Sequence, residues 1–93
     1  MATFILLGKY SAPAIQGISA ARTKKGKEIV KKCGGKVIAI YGLLGKYDLM
    51  FIADFPGVEQ AMKASITLSK ATGIAFITSP AIPVEKFDKL MGK

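Results

Sequence analysis

Histidine and tryptophan are absent from this chain of 93 residues, and cysteine occurs once, as Cys33. Without histidine there is no imidazole for general-base catalysis, a Ser-His-Asp triad or haem ligation, and a zinc site would lack its commonest nitrogen ligand. One cysteine forms no disulfide within the chain, so nothing indicates an oxidising compartment. We therefore expect a cytoplasmic protein without a metal ion or other cofactor.

Long apolar runs are missing as well. The longest, residues 37–44 if its glycine is counted, is far shorter than the roughly 18 residues of a transmembrane helix. The run at residues 4–7 is too short for the apolar core of a signal peptide. We expect no membrane association, and a length of 93 residues with 51% hydrophobic residues predicts one folded domain over residues 1–93.

Acidic residues are scarce, with 6 Asp and Glu against 14 Lys and Arg, which gives a formal net charge of +8. Half of the cations lie within residues 22–36, so nucleic acid is one conceivable partner. However, Arg22 is the only arginine of the chain and no aromatic residue is interleaved with the lysines. That pattern is more typical of a solvated helix face, and we disfavour nucleic acid while keeping it as an alternative.

Apolar periodicity predicts four strands and three helices. We expect strands over residues 3–10, 36–43, 47–53 and 74–79, a long helix over 13–33, a second helix between 56 and 73, and a short one over 84–91. The order β-α-β-β-α-β is that of the ferredoxin-like α+β fold. Its four-stranded antiparallel sheet has the strand order four-one-three-two and carries both long helices on one face.

Both faces of the predicted sheet are apolar. The expected alternation sets Phe4 and Leu6 against Ile5 and Leu7 in strand one, Val37 and Ala39 against Ile38 and Ile40 in strand two, and Leu49, Phe51 and Ala53 against Met50 and Ile52 in strand three. A sheet with one solvated face would alternate apolar with polar residues. The last helix, about two turns long, cannot cover four strands. We therefore predict a homodimer or higher oligomer through sheet-to-sheet packing.

The predicted hairpin between strands two and three contains Gly-Lys-Tyr-Asp, residues 45–48. Since strand one ends at the same end of the sheet, Lys9 and Tyr10 should lie near Lys46, Tyr47 and Asp48. One interpretation is structural: the aspartate holds the loop by accepting backbone N–H bonds or pairing with a lysine. The other is a small pocket lined by the two tyrosines and the aspartate, in which the carboxylate orients a polar ligand or acts as a base.

Arg22 falls within the apolar stripe of the predicted first helix, where a buried, unpaired guanidinium would be costly. Its head can reach water along a packed stem. Alternatively, Arg22 forms a polar pocket with Ser65 and Ser69 of the second long helix and binds an anionic ligand such as a carboxylate or phosphate.

The Gly-x-Tyr-Asp element at the predicted hairpin resembles the signature of the GYD domain family of small bacterial and archaeal proteins, and the resemblance extends over nearly the whole chain. It implies a ferredoxin-like fold and a dimeric α/β barrel, but no particular activity. The element is also similar to one in the small-ligand-binding domain of leucine-responsive transcription regulators. These 93 residues contain no helix-turn-helix segment, so that likeness covers only ligand sensing or assembly.

We therefore expect a homodimeric small-molecule-binding or regulatory protein with a pocket near the hairpin for a small anionic or polar ligand. The alternative is a cofactor-free enzyme of the monooxygenase or isomerase kind found among dimeric α/β barrels. In such an enzyme Asp48 would be the base, and Tyr10, Tyr47 or Arg22 would position an oxyanion. The lack of histidine and the scarcity of acids count against it, and the acids show no metal-ligand spacing.

Overall fold

A computed structural model describes residues 1–92 of the chain. Its elements are β1 (Ala2–Tyr10), α1 (Ala12–Gln16), α2 (Ala20–Lys32), β2 (Lys36–Gly42), β3 (Leu49–Phe55), α3 (Val58–Thr72), β4 (Ile74–Ala81) and α4 (Val84–Leu90). The four strands form one antiparallel sheet in the order β2-β3-β1-β4. The predicted ferredoxin-like α+β fold and its strand order are confirmed.

The predicted single helix over residues 13–33 is wrong, because the segment forms two helices. Gly17 ends α1, and Ser19 begins α2 by accepting a backbone N–H from the first turn of that helix. A serine at this position satisfies a donor that the helix itself leaves unpaired. Apolar residues at three- and four-residue spacing, among them Ile15 and Ile18, predicted one continuous inner stripe, but these two side chains are 52% and 62% exposed.

The core lies between α2, α3 and one face of the sheet. Its large members are Phe4 and Leu6 of β1, Phe51 and Phe55 of β3, Ile29 and Val30 of α2, and Leu68 of α3. The rings of Phe4 and Phe55 meet edge to face with 5.9 Å between their centroids. Burying each large apolar side chain contributes about 1.5–3 kcal/mol, so this layer holds the two helices against the sheet.

The opposite face of the sheet carries no helix. The strand register places Ile5 beside Ile52 and Leu7 beside Met50 on this face, and Ile77 next to Leu7 is 54% exposed. The described chain is only 18 Å thick along its shortest axis, which fits one layer of helices on one sheet. We call this surface the open face.

A β-bulge in β2 makes the predicted alternation of this strand wrong beyond Val37. The pairing of β2 with β3 shifts between Val37 and Ala39, so that Ala39 lies opposite Ile52 of the open face. Ile40 therefore lies with Val37 on the helix side, where both pack against the core. Regular alternation predicts Ile40 on the opposite side from Val37. That prediction is wrong because the extra residue of a bulge reverses the alternation beyond it.

The last helix, α4, has no buried residue. Its apolar side chains Val84, Phe87 and Leu90 are 63%, 52% and 70% exposed. The radius of gyration of 13.8 Å exceeds the roughly 12.3 Å typical of a compact domain of this length. As predicted, α4 does not cover the open face, and none of the described helices combines the length and apolarity needed to cross a bilayer.

Candidate functional site

Asp48 fastens the hairpin to the end of β1. Its backbone N–H donates to the carbonyl of Gly8, and its own carbonyl accepts the N–H of Leu43, each at 2.8 Å. Its Oδ2 accepts the backbone N–H of Tyr10 at 2.8 Å and lies 3.7 Å from Nζ of Lys9. The predicted proximity of Lys9, Tyr10 and Asp48 is thus present in the fold, with the carboxylate holding the backbone that carries the tyrosine.

Arg22 stacks on Tyr10. The central carbon of its guanidinium lies 5.0 Å from the centroid of the tyrosine ring, and Nη1 donates to the carbonyl of Ala14 in α1. The half-buried arginine therefore ties α2 to both β1 and α1. A guanidinium carries five N–H donors, and within residues 1–92 this is its one side-chain hydrogen bond, which leaves donors for water or a ligand.

Beside Arg22 and Tyr10 lies a cavity of about 50 Å³ between α2, α3 and the sheet. Much of its wall is apolar, from Phe51, Leu68, Ile74 and Phe76. Gly26, one turn after Arg22 on α2, also lines the cavity, and its lack of a side chain lets the helix pack closely on the sheet. A Cβ at Gly26 would lie 3.2 Å from the ring of Phe51 and 3.5 Å from Leu68. We call this space the Arg22 cavity.

The Arg22 cavity borders an open groove of about 580 Å³ between α2 and the edge strand β2. Tyr10, Thr23, Ile40 and Leu49 line both spaces. Lys27, one turn after Thr23 on α2, lines the groove but not the cavity. The bulge in β2 matters here because it brings Ile40 to the helix side, where Ile40 lines both spaces. We call this space the β2 groove.

The structure does not bring Ser65 and Ser69 to the Arg22 cavity. The cavity-lining residues of α3 are Leu68 and Thr72. Ser65 lies almost one turn before Leu68, and its hydroxyl accepts a 2.8 Å hydrogen bond from the hydroxyl of Thr78 in β4. This bond joins α3 to the sheet, so the serine has a structural partner outside the cavity.

Lys46 and Tyr47 lie at the hairpin and line neither space. The ammonium of Lys46 is 5.8 Å from the centroid of the Tyr47 ring, and Leu44 beside them is fully exposed. Gly45 has a φ of 131°, a conformation that side chains disfavour, which accounts for glycine in this turn. The hairpin tip is therefore a separate surface from the Arg22 cavity.

Sequence reasoning singled out Tyr10 and Arg22 but missed Thr23, Gly26 and Lys27 as site residues. A signal for the glycine was present, since glycine within a helix costs about 1 kcal/mol relative to alanine and its placement on the inner stripe indicates a space or a close approach. The described acidic residues line neither the cavity nor the groove. The charged groups at these spaces are therefore cations, and the arrangement suits an anion.

Residues 4–91 match the family model of the GYD domain. Among curated proteins none matches the chain. A solved structure provisionally assigned as a glycine cleavage system transcriptional repressor is similar in fold, with a TM-score of 0.51 and 14% sequence identity. The similarity covers 87% of this chain and 46% of that one, so the chain spans less than half the length of that protein. Because the family model extends over nearly all of its 93 residues, the chain belongs to the GYD domain family.

Proposed function

We propose that this protein is a non-enzymatic regulatory domain that binds a small anion in the Arg22 cavity and acts as a homodimer. The observation that carries the proposal is a half-buried guanidinium with free N–H donors at the edge of a largely apolar cavity. In such surroundings a charge-assisted hydrogen bond is stronger than in water. A regulatory role is in keeping with the fold, which resembles a protein provisionally assigned as a transcriptional repressor.

The groups around the Arg22 cavity favour binding over catalysis. Its described polar lining consists of Tyr10, Arg22 and the hydroxyls of Ser19, Thr23 and Thr72. None of these is a ready proton acceptor near neutral pH. The carboxylate of Asp48, the base of the enzyme alternative, bonds to the backbone of Tyr10 and pairs with Lys9 instead. A bound anion would therefore be held without a base to act on it.

The open face supports the homodimer. Strand spacing and rise give four strands of about seven paired residues a face of roughly 400 Å², which is within the size range of the largest apolar patch on a typical monomer, a patch that is often functional. A two-fold axis would place this surface against itself, so no other partner is needed to cover it. At one end of this face, the hydroxyl of Thr3 donates to the carboxylate of Asp54 at 2.6 Å, which gives the apolar area a polar border.

The test is an NMR titration of the amide signals with sodium acetate, benzoate and inorganic phosphate. We expect at least one of these anions to shift the amides of Tyr10 and of residues 19–23 in a saturable manner. Arg22→Met should weaken that binding at least about tenfold, because it removes a charge-assisted hydrogen bond. The matched control is Lys24→Met, an exposed cation of the same helix that lines neither space.

Two outcomes would overturn the proposal. One is that none of the anions shifts these amides at millimolar concentration. The other is that folded Arg22→Met protein binds the anions as well as the wild type does. Conversion of a bound carboxylate during the titration, seen as new ligand signals, would favour the enzyme alternative.

A further inference from the structure

Two neighbouring pairs of residues on α2 border the two spaces. Arg22 and Gly26 are four residues apart and line the Arg22 cavity, whereas Lys27 lines the β2 groove and Thr23, four residues before it, lines both spaces. The first pair ends in a glycine, where the helix approaches Phe51 and Leu68 closely, and the second ends in an exposed ammonium.

The two spaces differ in chemistry. The Arg22 cavity has an apolar wall formed by Phe51, Leu68, Ile74 and Phe76. The groove is open to solvent, and its charged lining residue is Lys27. Tyr10 borders both spaces, which are therefore adjacent.

We infer that the Arg22 cavity and the β2 groove form one site for an organic monocarboxylate with a short apolar chain. The apolar chain enters the Arg22 cavity, and the carboxylate remains where the two spaces meet, between Arg22 and Lys27. This inference rests on the proposed anion binding at Arg22 and adds the class of ligand: neither a free inorganic anion nor an uncharged apolar molecule would use both halves of the site.

A chain-length series on the wild-type protein is the first test. Acetate, butyrate, hexanoate and octanoate are titrated into the protein, and Kd is obtained from the amide shifts. Each methylene that enters an apolar space tightens binding about fourfold. We expect affinity to rise along the series until the cavity is filled and then to level off. Hexylamine, which has the same number of carbon atoms and the opposite charge, should bind at least tenfold more weakly than hexanoate.

Two variants separate the halves of the site. Gly26→Ala places a Cβ 3.2 Å from the ring of Phe51, and it should weaken hexanoate binding severalfold while leaving acetate binding nearly unchanged. Lys27→Met should weaken every carboxylate severalfold. The matched control is Lys31→Met, which replaces another exposed cation of α2 outside both spaces and should have no effect.

The outcomes distinguish the inference from the proposal beneath it. If no carboxylate binds, the proposed anion binding fails and the inference fails with it. If acetate and hexanoate bind equally well, or if Gly26→Ala affects both alike, the apolar half of the site is wrong while anion binding at Arg22 stands. If hexylamine binds as tightly as hexanoate, the assignment of an anionic ligand is wrong. Inorganic phosphate binding more tightly than hexanoate would overturn the carboxylate assignment.

Discussion

The two faces of the sheet carry similar side chains in different surroundings. On the helix side Leu6 is fully buried and Phe51 is 3% exposed, whereas Ile5 and Ile52 on the open face are only half-buried. Apolar residues alternate with apolar residues along β1 and β3, so the strands specify two covered faces. The helices of the described chain cover one of these faces. The covered face therefore stabilises the fold, and the open face is the surface that can take part in association.

The largest expected effect comes from removing a core side chain on the helix side. Phe55 is fully buried and packs edge to face on Phe4. We expect Phe55→Ala to lower the free energy of unfolding by about 3–5 kcal/mol, because it leaves a cavity that the helices cannot fill. Urea denaturation followed by circular dichroism measures the difference.

The matched change on the other face is Ile52→Ala. If the open face contributes to association and not to the fold of the subunit, Ile52→Ala should lower the free energy of unfolding of the isolated subunit by less than half as much as Phe55→Ala does. The measurement is made at a protein concentration low enough for the dimer to dissociate. Equal losses for the two variants would contradict the distinction between the faces.

The second effect concerns association. Ile52→Lys places a charge within the open face, and in a two-fold dimer the change occurs on both sides of the interface. We expect the dimer Kd to rise at least about a hundredfold, while the folded spectrum is retained, because each ammonium would lose water on association. Sedimentation equilibrium measures this.

Ile66→Lys is its control, since Ile66 is 55% exposed on α3, away from the open face. That variant should associate like the wild type. A wild-type protein that sediments as a monomer of about 10 kDa at tens of micromolar would show that the open face is left uncovered, and the dimer proposal would fail.

The features of the fold that depend on a periodic pattern could be predicted from the sequence, whereas those that depend on a single residue could not. The strand order followed from the order of the predicted elements, and the two apolar faces followed from alternation. Both signals depend on many residues at once. The break between α1 and α2 depends on one serine cap at Ser19, and the bulge in β2 depends on one extra residue after Val37. Such single-residue features compete with a periodic pattern that runs across them, so the pattern alone predicted one helix and one regular strand.

The candidate site was accessible from the sequence in part. An arginine within an apolar stripe indicated a polar partner, and Arg22 has one in the carbonyl of Ala14. The cavity beside it is lined by Gly26 and by residues of β3, α3 and β4. Their meeting depends on how the helices pack on the sheet, and no local pattern in the chain encodes that.

A smaller effect on stability is expected from Asp48, which holds the hairpin to the end of β1. Asp48→Asn keeps an oxygen that can accept the N–H of Tyr10 but removes the charge that pairs with Lys9. We expect a loss of about 1 kcal/mol in the free energy of unfolding, since a hydrogen bond to a charged group becomes an ordinary one. Asp88→Asn on the exposed helix α4 is the control and should change stability by less than about 0.5 kcal/mol.

The same variant separates the two interpretations of Asp48. If the carboxylate only positions Tyr10, the affinity for acetate should fall by a small factor, well below the effect of Arg22→Met. An Asp48→Asn protein of unchanged stability that binds no anion would instead assign the carboxylate a direct part in the site.

The smallest effect is expected from removing α4. Since no residue of Val84–Leu90 is buried, a chain that ends at residue 83 should keep the sheet and its core. We expect the free energy of unfolding of the isolated subunit to change by no more than about 0.5 kcal/mol, in urea denaturation at low protein concentration. A helix this short has little stability in water without packing. A larger loss would mean that α4 packs on its own sheet in solution, and the open face would then be partly covered from within the chain.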